Sequence, residues 1–180
     1  MTNINLTLRP AGPEDERFLF RVFASTREEE LGLTDWDEGQ KRAFLEMQHE
    51  AQSRYYREHF ARSWYEVILA DGVSAGRIYV DRADDEIRII DIALLPEHRN
   101  RGIGGALVGA LLDEAKQTGK PVRIHVEKFN RALRFYQRLG FATIGETGVY
   151  DEMEWSPGGG GAAGPADTSS TAGPSGAERV

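Results

Sequence analysis

Between Arg99 and Ala106 the chain reads Arg-Asn-Arg-Gly-Ile-Gly-Gly-Ala. Arg99 and Arg101 favour an anion. Gly102, Gly104 and Gly105 let backbone N–H groups come close to a ligand. An amphipathic helix begins in the same stretch, and its first turn carries the positive end of the helix dipole. These residue types at this spacing suit a phosphate cradle. The plainer alternative is a glycine-rich turn with two solvated arginines. Ile87 to Leu95 must position the loop from one side. Its aliphatic, β-branched run is that of a strand covered on both faces, and Pro96 ends it. From the other side the helix offers Ile103, Leu107, Ala110, Leu111 and Ala115 as its core face.

The chain has 180 residues, 40% of them hydrophobic and 28% charged, which suits one globular domain. Its formal net charge of -7 argues against a nucleic-acid or anionic-membrane partner. Cysteine is absent, which excludes a disulfide framework, a thiolate nucleophile and a cysteine-ligated metal; no metal is expected. The N-terminal MTNINLTLRP lacks a basic segment followed by an apolar core, and no apolar run approaches a membrane span. The expectation is a cytoplasmic monomer or homodimer.

The remaining elements follow from pattern. Ile4, Leu6 and Leu8 alternate as in a half-buried strand. Pro13 and the acids after it open a helix ending near Arg27. A long second helix is expected from about Asp37 to Phe60, capped by Thr34 or Asp35, with Phe44, Met47, Gln48, Ala51, Tyr55 and His59 on one face. That mixed face suits either a partly exposed helix or the wall of a polar cleft. Trp64 to Ala70 and Val73 to Asp81 flank Asp71-Gly72, a strong hairpin signal. With Ile87 to Leu95 they make an antiparallel meander. Val122 to Val126, after the cradle helix, should return parallel by a right-handed crossover. Asn130 to Leu139 reads as a short helix, and Phe141 to Ile144 and Tyr150 to Trp155 as closing strands. Residues 156–180 hold almost no large apolar side chain and read as a disordered tail beyond a domain of residues 1–155.

A strand, a glycine loop and a helix also occur in dinucleotide-binding units, whose fingerprint is G-x-G-x-x-G. Here Leu107 stands where the third glycine belongs, and an antiparallel meander does not fit a doubly wound sheet. Glu127, which would stand for the ribose-binding acid, keeps that alternative open. A Walker loop is excluded, because no G-K-[ST] follows.

Arg99-Asn100-Arg101-Gly102-Ile103-Gly104 resembles the [QR]-x-x-G-x-[GA] signature of the GNAT superfamily of acyl-CoA-dependent N-acyltransferases. Asn130, Ala132, Tyr136 and Leu139-Gly140-Phe141 resemble that family's second element. The element order over residues 4–155 is also similar. The resemblance implies an α+β fold: a mixed, mostly antiparallel sheet of about seven strands flanked by about four helices. It implies an acetyltransferase that uses acetyl-CoA and acts on a primary amine of a small molecule or peptide. Backbone N–H groups from Arg101 to Ala106 (Gly102, Ile103, Gly104 and Gly105 between them) would hold the pyrophosphate, flanked by Arg99. Ile92, Ala93 and Leu94 would pair with the pantetheine arm, and an N–H near Leu94 would stabilise the oxyanion. A break between this strand and the Val122 strand would admit the arm. Asn130 would contact the arm, and Tyr136 would protonate the departing thiolate. The candidate bases are Asp91, His125 and Glu127, with Asp91 preferred narrowly over His125. A non-catalytic acyl-CoA sensor of the same fold is the other class of function.

Overall fold

The computed structural model describes residues 4–158. Seven strands form one sheet in the order β1-β2-β3-β4-β5-β7-β6: β1 Leu6–Pro10, β2 Trp64–Ala70, β3 Val73–Arg82, β4 Ile87–Leu94, β5 Val122–Glu127, β6 Ala142–Thr147 and β7 Tyr150–Trp155. Every neighbouring pair is antiparallel except β4 and β5, which run parallel. Helices α1 (Glu16–Leu31) and α2 (Glu38–His59) pack on one face. Helices α3 (Ile103–Thr118) and α4 (Ala132–Arg138) pack on the other, over the main apolar core. The mostly antiparallel seven-stranded sheet and four helices agree with the sequence expectation. The tail reading falls almost wholly outside the described residues. Among those residues, no helix is long and apolar enough to cross a membrane.

Local chemistry explains the elements. Asp71 (φ 52°) and Gly72 (φ 80°) make the left-handed pair that a tight β2–β3 hairpin requires. Gly119 (φ 72°) ends α3 in the left-handed conformation. Helix α1 runs to Leu31 rather than stopping near Arg27, because Leu31 is buried and draws one more turn inward. The cap of α2 is Asp37, not Thr34 or Asp35: its carboxylate accepts from the Gln40 N–H while the Gln40 side chain accepts from the Asp37 N–H. Strand β6 begins at Ala142, one residue late, because Phe141 is drawn into the core.

Two apolar faces are shifted. On α2 the fully buried residues are Gln52 and Tyr56, whereas Met47 is 61% exposed. On α3, Val108 and Leu112 are buried and Ala110 is exposed. The α2 face is shifted because it covers a polar cluster, so its buried positions are not its apolar ones.

Gly76 of β3 is fixed by steric contact rather than by φ. A Cβ there would overlap the Ala93 carbonyl oxygen and lie 2.9 Å from Leu94 Cδ2 and 3.0 Å from Leu94 Cα. The obstruction is mostly backbone, so it cannot swing aside. Gly76→Ala is expected to lower stability by about 1–3 kcal/mol, as overpacking does. Chemical denaturation checks this, and a stability unchanged from wild type would contradict it.

Candidate active site

The loop between β4 and α3 opens with a turn at Pro96–His98 and then reverses through two left-handed residues, Asn100 (φ 57°) and Gly102 (φ 80°). Gly102 is the N-cap of α3, and no side chain caps that helix. The contrast with α2 is informative, since α2 carries a reciprocal side-chain cap. The N–H groups of Ile103, Gly104 and Gly105 precede the first intrahelical bond, from Ala106 N to Gly102 O at 3.0 Å. They are presented to whatever occupies the space in front of the helix.

That space is a cleft of about 790 Å³. Leu94, Arg99 and the turn from Gly102 to Gly105 line one wall. Glu127 and the β5–α4 segment line another, and Glu29 and Glu30 at the end of α1 close a third. The first wall offers donors and a guanidinium, and the third offers carboxylates. Such a cleft suits an anionic group at one end and a cation at the other.

The cleft adjoins an opening in the sheet. β4 and β5 pair only from Ile87↔Val122 to Ile89↔Ile124, although β4 continues to Leu94 and β5 to Glu127. On its other side β4 stays paired with β3, with a bulge at Ile90. The Leu95 N–H donates to the Ala75 carbonyl at 2.9 Å. Antiparallel ladders alternate, so the N–H and C=O of Leu94 point away from β3, towards the opening. The expected break between the two parallel strands is therefore present in the fold, with the backbone polar groups of Leu94 turned into it.

Asp91 is fully buried on the α1/α2 face and pairs with Arg77, 2% exposed, at 2.5 Å. Arg77 also donates to Gln52 Oε1 at 2.9 Å, and its guanidinium lies 5.2 Å from the Tyr79 ring centre and 5.9 Å from that of Phe23. Burial pushes the Asp91 carboxyl up from its ordinary value, against the pull of Arg77. Burial also disfavours the Arg77 charge, but Asp91, Tyr79 and Tyr56 together more than offset this and hold it protonated. The pair sits under α2 and does not line the cleft. His49 is packed 5.3 Å from Phe23, and burial together with Arg77 lowers its pKa to about 4, so it is neutral at pH 7.

The other expected residues divide. Glu127 lines the cleft, 3.9 Å from Arg27. His125 faces the same side of β5 but not the cleft; its Nδ1 lies 3.1 Å from Arg88 and its Nε2 3.8 Å from Glu152. Burial, helped by Arg88, pushes its pKa down. Asn130 lines the cleft, and its Oδ1 accepts from the Ala132 N–H at 2.9 Å. Helix α4 begins at Ala132, with Arg131 at its N-cap position. Arg99 lines the cleft, whereas Arg101 is exposed and does not. Tyr136 is fully buried in the main core, edge-on to Phe135 and Phe141; Ala132, Phe135 and Arg138 of its helix line the cleft, and its own ring does not.

Sequence reading missed three participants. Phe129 lines the cleft and is completely exposed. A large aromatic in a loop with no face to pack on was the available signal. Arg131 and Arg138 add positive charge near the α4 end and carried no signal beyond their charge.

A profile of the acetyltransferase (GNAT) family matches residues 26–141, which include the cradle, the open strand pair and α4. The chain belongs to the GNAT acetyltransferase family. PaiA N-acetyltransferase of Thermoplasma acidophilum, solved in complex with coenzyme A, matches with a TM-score of 0.64 at 19% identity, over 84% of this chain and 99% of that one. Spermidine N-acetyltransferase of Vibrio cholerae, solved with CoA and spermine, matches with a TM-score of 0.58 at 17% identity, over 85% and 96%. At these identities the likeness is one of fold. A mycothiol acetyltransferase of Actinosynnema mirum is 43% identical over 56 residues, which is 30% of this chain and 19% of that protein. This chain therefore covers about a fifth of that relative. Among the described residues, no group of three His, Asp or Glu is arranged to hold a metal ion.

Proposed function

We propose that this GNAT acetyltransferase moves an acetyl group from acetyl-CoA to a primary amine of a small molecule or peptide by direct attack. The observation that carries the reading is the uncapped first turn of α3, opening on a cleft that runs to the split between β4 and β5. Gly102 to Gly105 would hold the pyrophosphate through backbone N–H groups, with Arg101 beside them. The pantetheine arm would enter the split along Ile92 to Leu94, with Asn130 beside it. The Leu94 N–H would meet the thioester oxygen as negative charge develops there.

The amine would arrive past Glu29 and Glu30. Glu127 is the candidate base within the cleft, acting directly or through one water, since Asp91 is sealed beneath α2 and His125 lies outside the cleft. As the C–N bond forms, the C–S bond breaks and the thiolate takes a proton from Tyr136. A phenol with an ordinary pKa of about 10 arrives protonated at neutral pH. Tyr136 can reach the sulfur only if the arm inserts fully into the split, because its ring lies behind the cleft wall.

Thiol release from acetyl-CoA over a panel of amines tests the reading, with mass spectrometry of the products. The expected result is release that depends on one class of amine and yields a product heavier by one acetyl group. Tight acetyl-CoA binding without release on any amine would instead indicate a sensor. Tyr136→Phe is expected to lower kcat by about 100-fold, in the range of general acid catalysis, with little change in acetyl-CoA affinity. An unchanged single-turnover rate would remove the acid role.

A further inference from the structure

The first arginine of the loop is held by the protein itself. Arg99 Nε donates to the Leu94 carbonyl at 2.8 Å. One terminal nitrogen, Nη2, donates to Ser25 Oγ at 3.0 Å and to the Ser25 carbonyl at 3.3 Å. Ser25 lies in α1, is 5% exposed, and its hydroxyl donates to the Val22 carbonyl at 2.7 Å. The hydroxyl is thus oriented to accept from Arg99. A planar guanidinium therefore bridges α1 and the last residue of β4, at the point where β4 has lost β5 as a neighbour.

We propose that Arg99 is a positioning residue, not a phosphate ligand: it clamps the unpaired end of β4 to α1 and thereby fixes the Leu94 backbone. This inference rests on the acetyl-CoA reading and adds a division of labour within it. Beyond Ile89, β4 has hydrogen bonds on one side only, to β3. A strand end of that kind is free to twist. Arg99 takes the Leu94 carbonyl, the group that β5 would otherwise satisfy, and holds it without closing the opening. The N–H on the same side is then left aimed into the split, where the thioester oxygen would lie. The clamp also ties α1, which carries Glu29 and Glu30, to the strand that would carry the acyl group. The two reactants would thus be registered on each other through one side chain.

The test needs no knowledge of the amine. Backbone amide resonances are followed while wild type, Arg99→Lys and Ser25→Ala are saturated with acetyl-CoA. Lysine keeps the positive charge and loses the fork. The clamp predicts that in Arg99→Lys the Leu94 amide shift on binding falls at least about twofold, while the shifts of Gly104 and Gly105 persist. Ser25→Ala, which leaves every loop donor in place, should reduce the Leu94 shift in the same sense, and it decides the matter if Arg99→Lys fails to fold. A Leu94 response equal to wild type in the folded variants overturns the clamp. So does selective loss of the Gly104 and Gly105 shifts in Arg99→Lys, which would mark Arg99 as a phosphate ligand. No response at any of these amides in wild type would reject the acetyl-CoA reading itself.

Discussion

Replacing Arg77 alone by methionine is expected to cost about 3–5 kcal/mol of stability, because it strands a buried carboxylate. Asp91 is wholly inaccessible, and its ion-pair partner among the described residues is Arg77. Arg77 in turn holds Gln52 of α2, so its loss also loosens the packing of α2 on the sheet. The double replacement Arg77→Met, Asp91→Leu removes both charges and should recover most of that loss, since apolar residues of similar volume commonly replace buried pairs at little cost. Urea denaturation of the two variants checks the prediction; equal destabilisation in both would contradict it. The double variant also bears on chemistry. If it still transfers acetyl groups, Asp91 is not the base, as its sealed position implies.

The second large effect is on binding. Gly105→Glu is expected to weaken acetyl-CoA binding on the order of 100-fold or more, since like charges about 4 Å apart repel by some 4 kcal/mol at a protein surface. Folding should survive: a Cβ at Gly105 meets nothing within 4 Å, and the residue lies in the first turn of α3, where an acidic side chain is favoured. The melting temperature should therefore hold or rise while binding is lost. Gly105→Gln, of similar size but neutral, separates charge from bulk and should bind better than the glutamate variant. Equal affinities in the two variants would show that no phosphate lies near Gly105.

These two sites differ in how legible they were. The cradle could be read because its chemistry is local: three glycines, two arginines and a helix start fall within eight residues. Strands β2, β4 and β7 could be read because each is bounded by a turn residue and alternates or runs apolar. The Arg77–Asp91 pair was hidden, since its members are 14 positions apart in sequence on neighbouring strands and meet only through the β3–β4 register, Tyr79↔Asp91. An aspartate in a cradle strand reads equally well as a base or as a buried counter-charge; the partner decides. The same pair explains the misplaced face of α2. Hydrophobic periodicity assigns Met47 and Ala51 to the buried side, but Gln52 is buried because Arg77 needs an acceptor there. Tyr136 illustrates the converse. Its place in the motif named a role, and only the packed core shows that its ring lies between Phe135 and Phe141 behind the cleft wall.

Isothermal titration of the full chain with acetyl-CoA, and separately with NADH, tests the central claim most directly. The account predicts saturable one-to-one binding of acetyl-CoA and no heat with NADH. Binding of NADH without binding of acetyl-CoA would contradict it and return the loop to the dinucleotide reading.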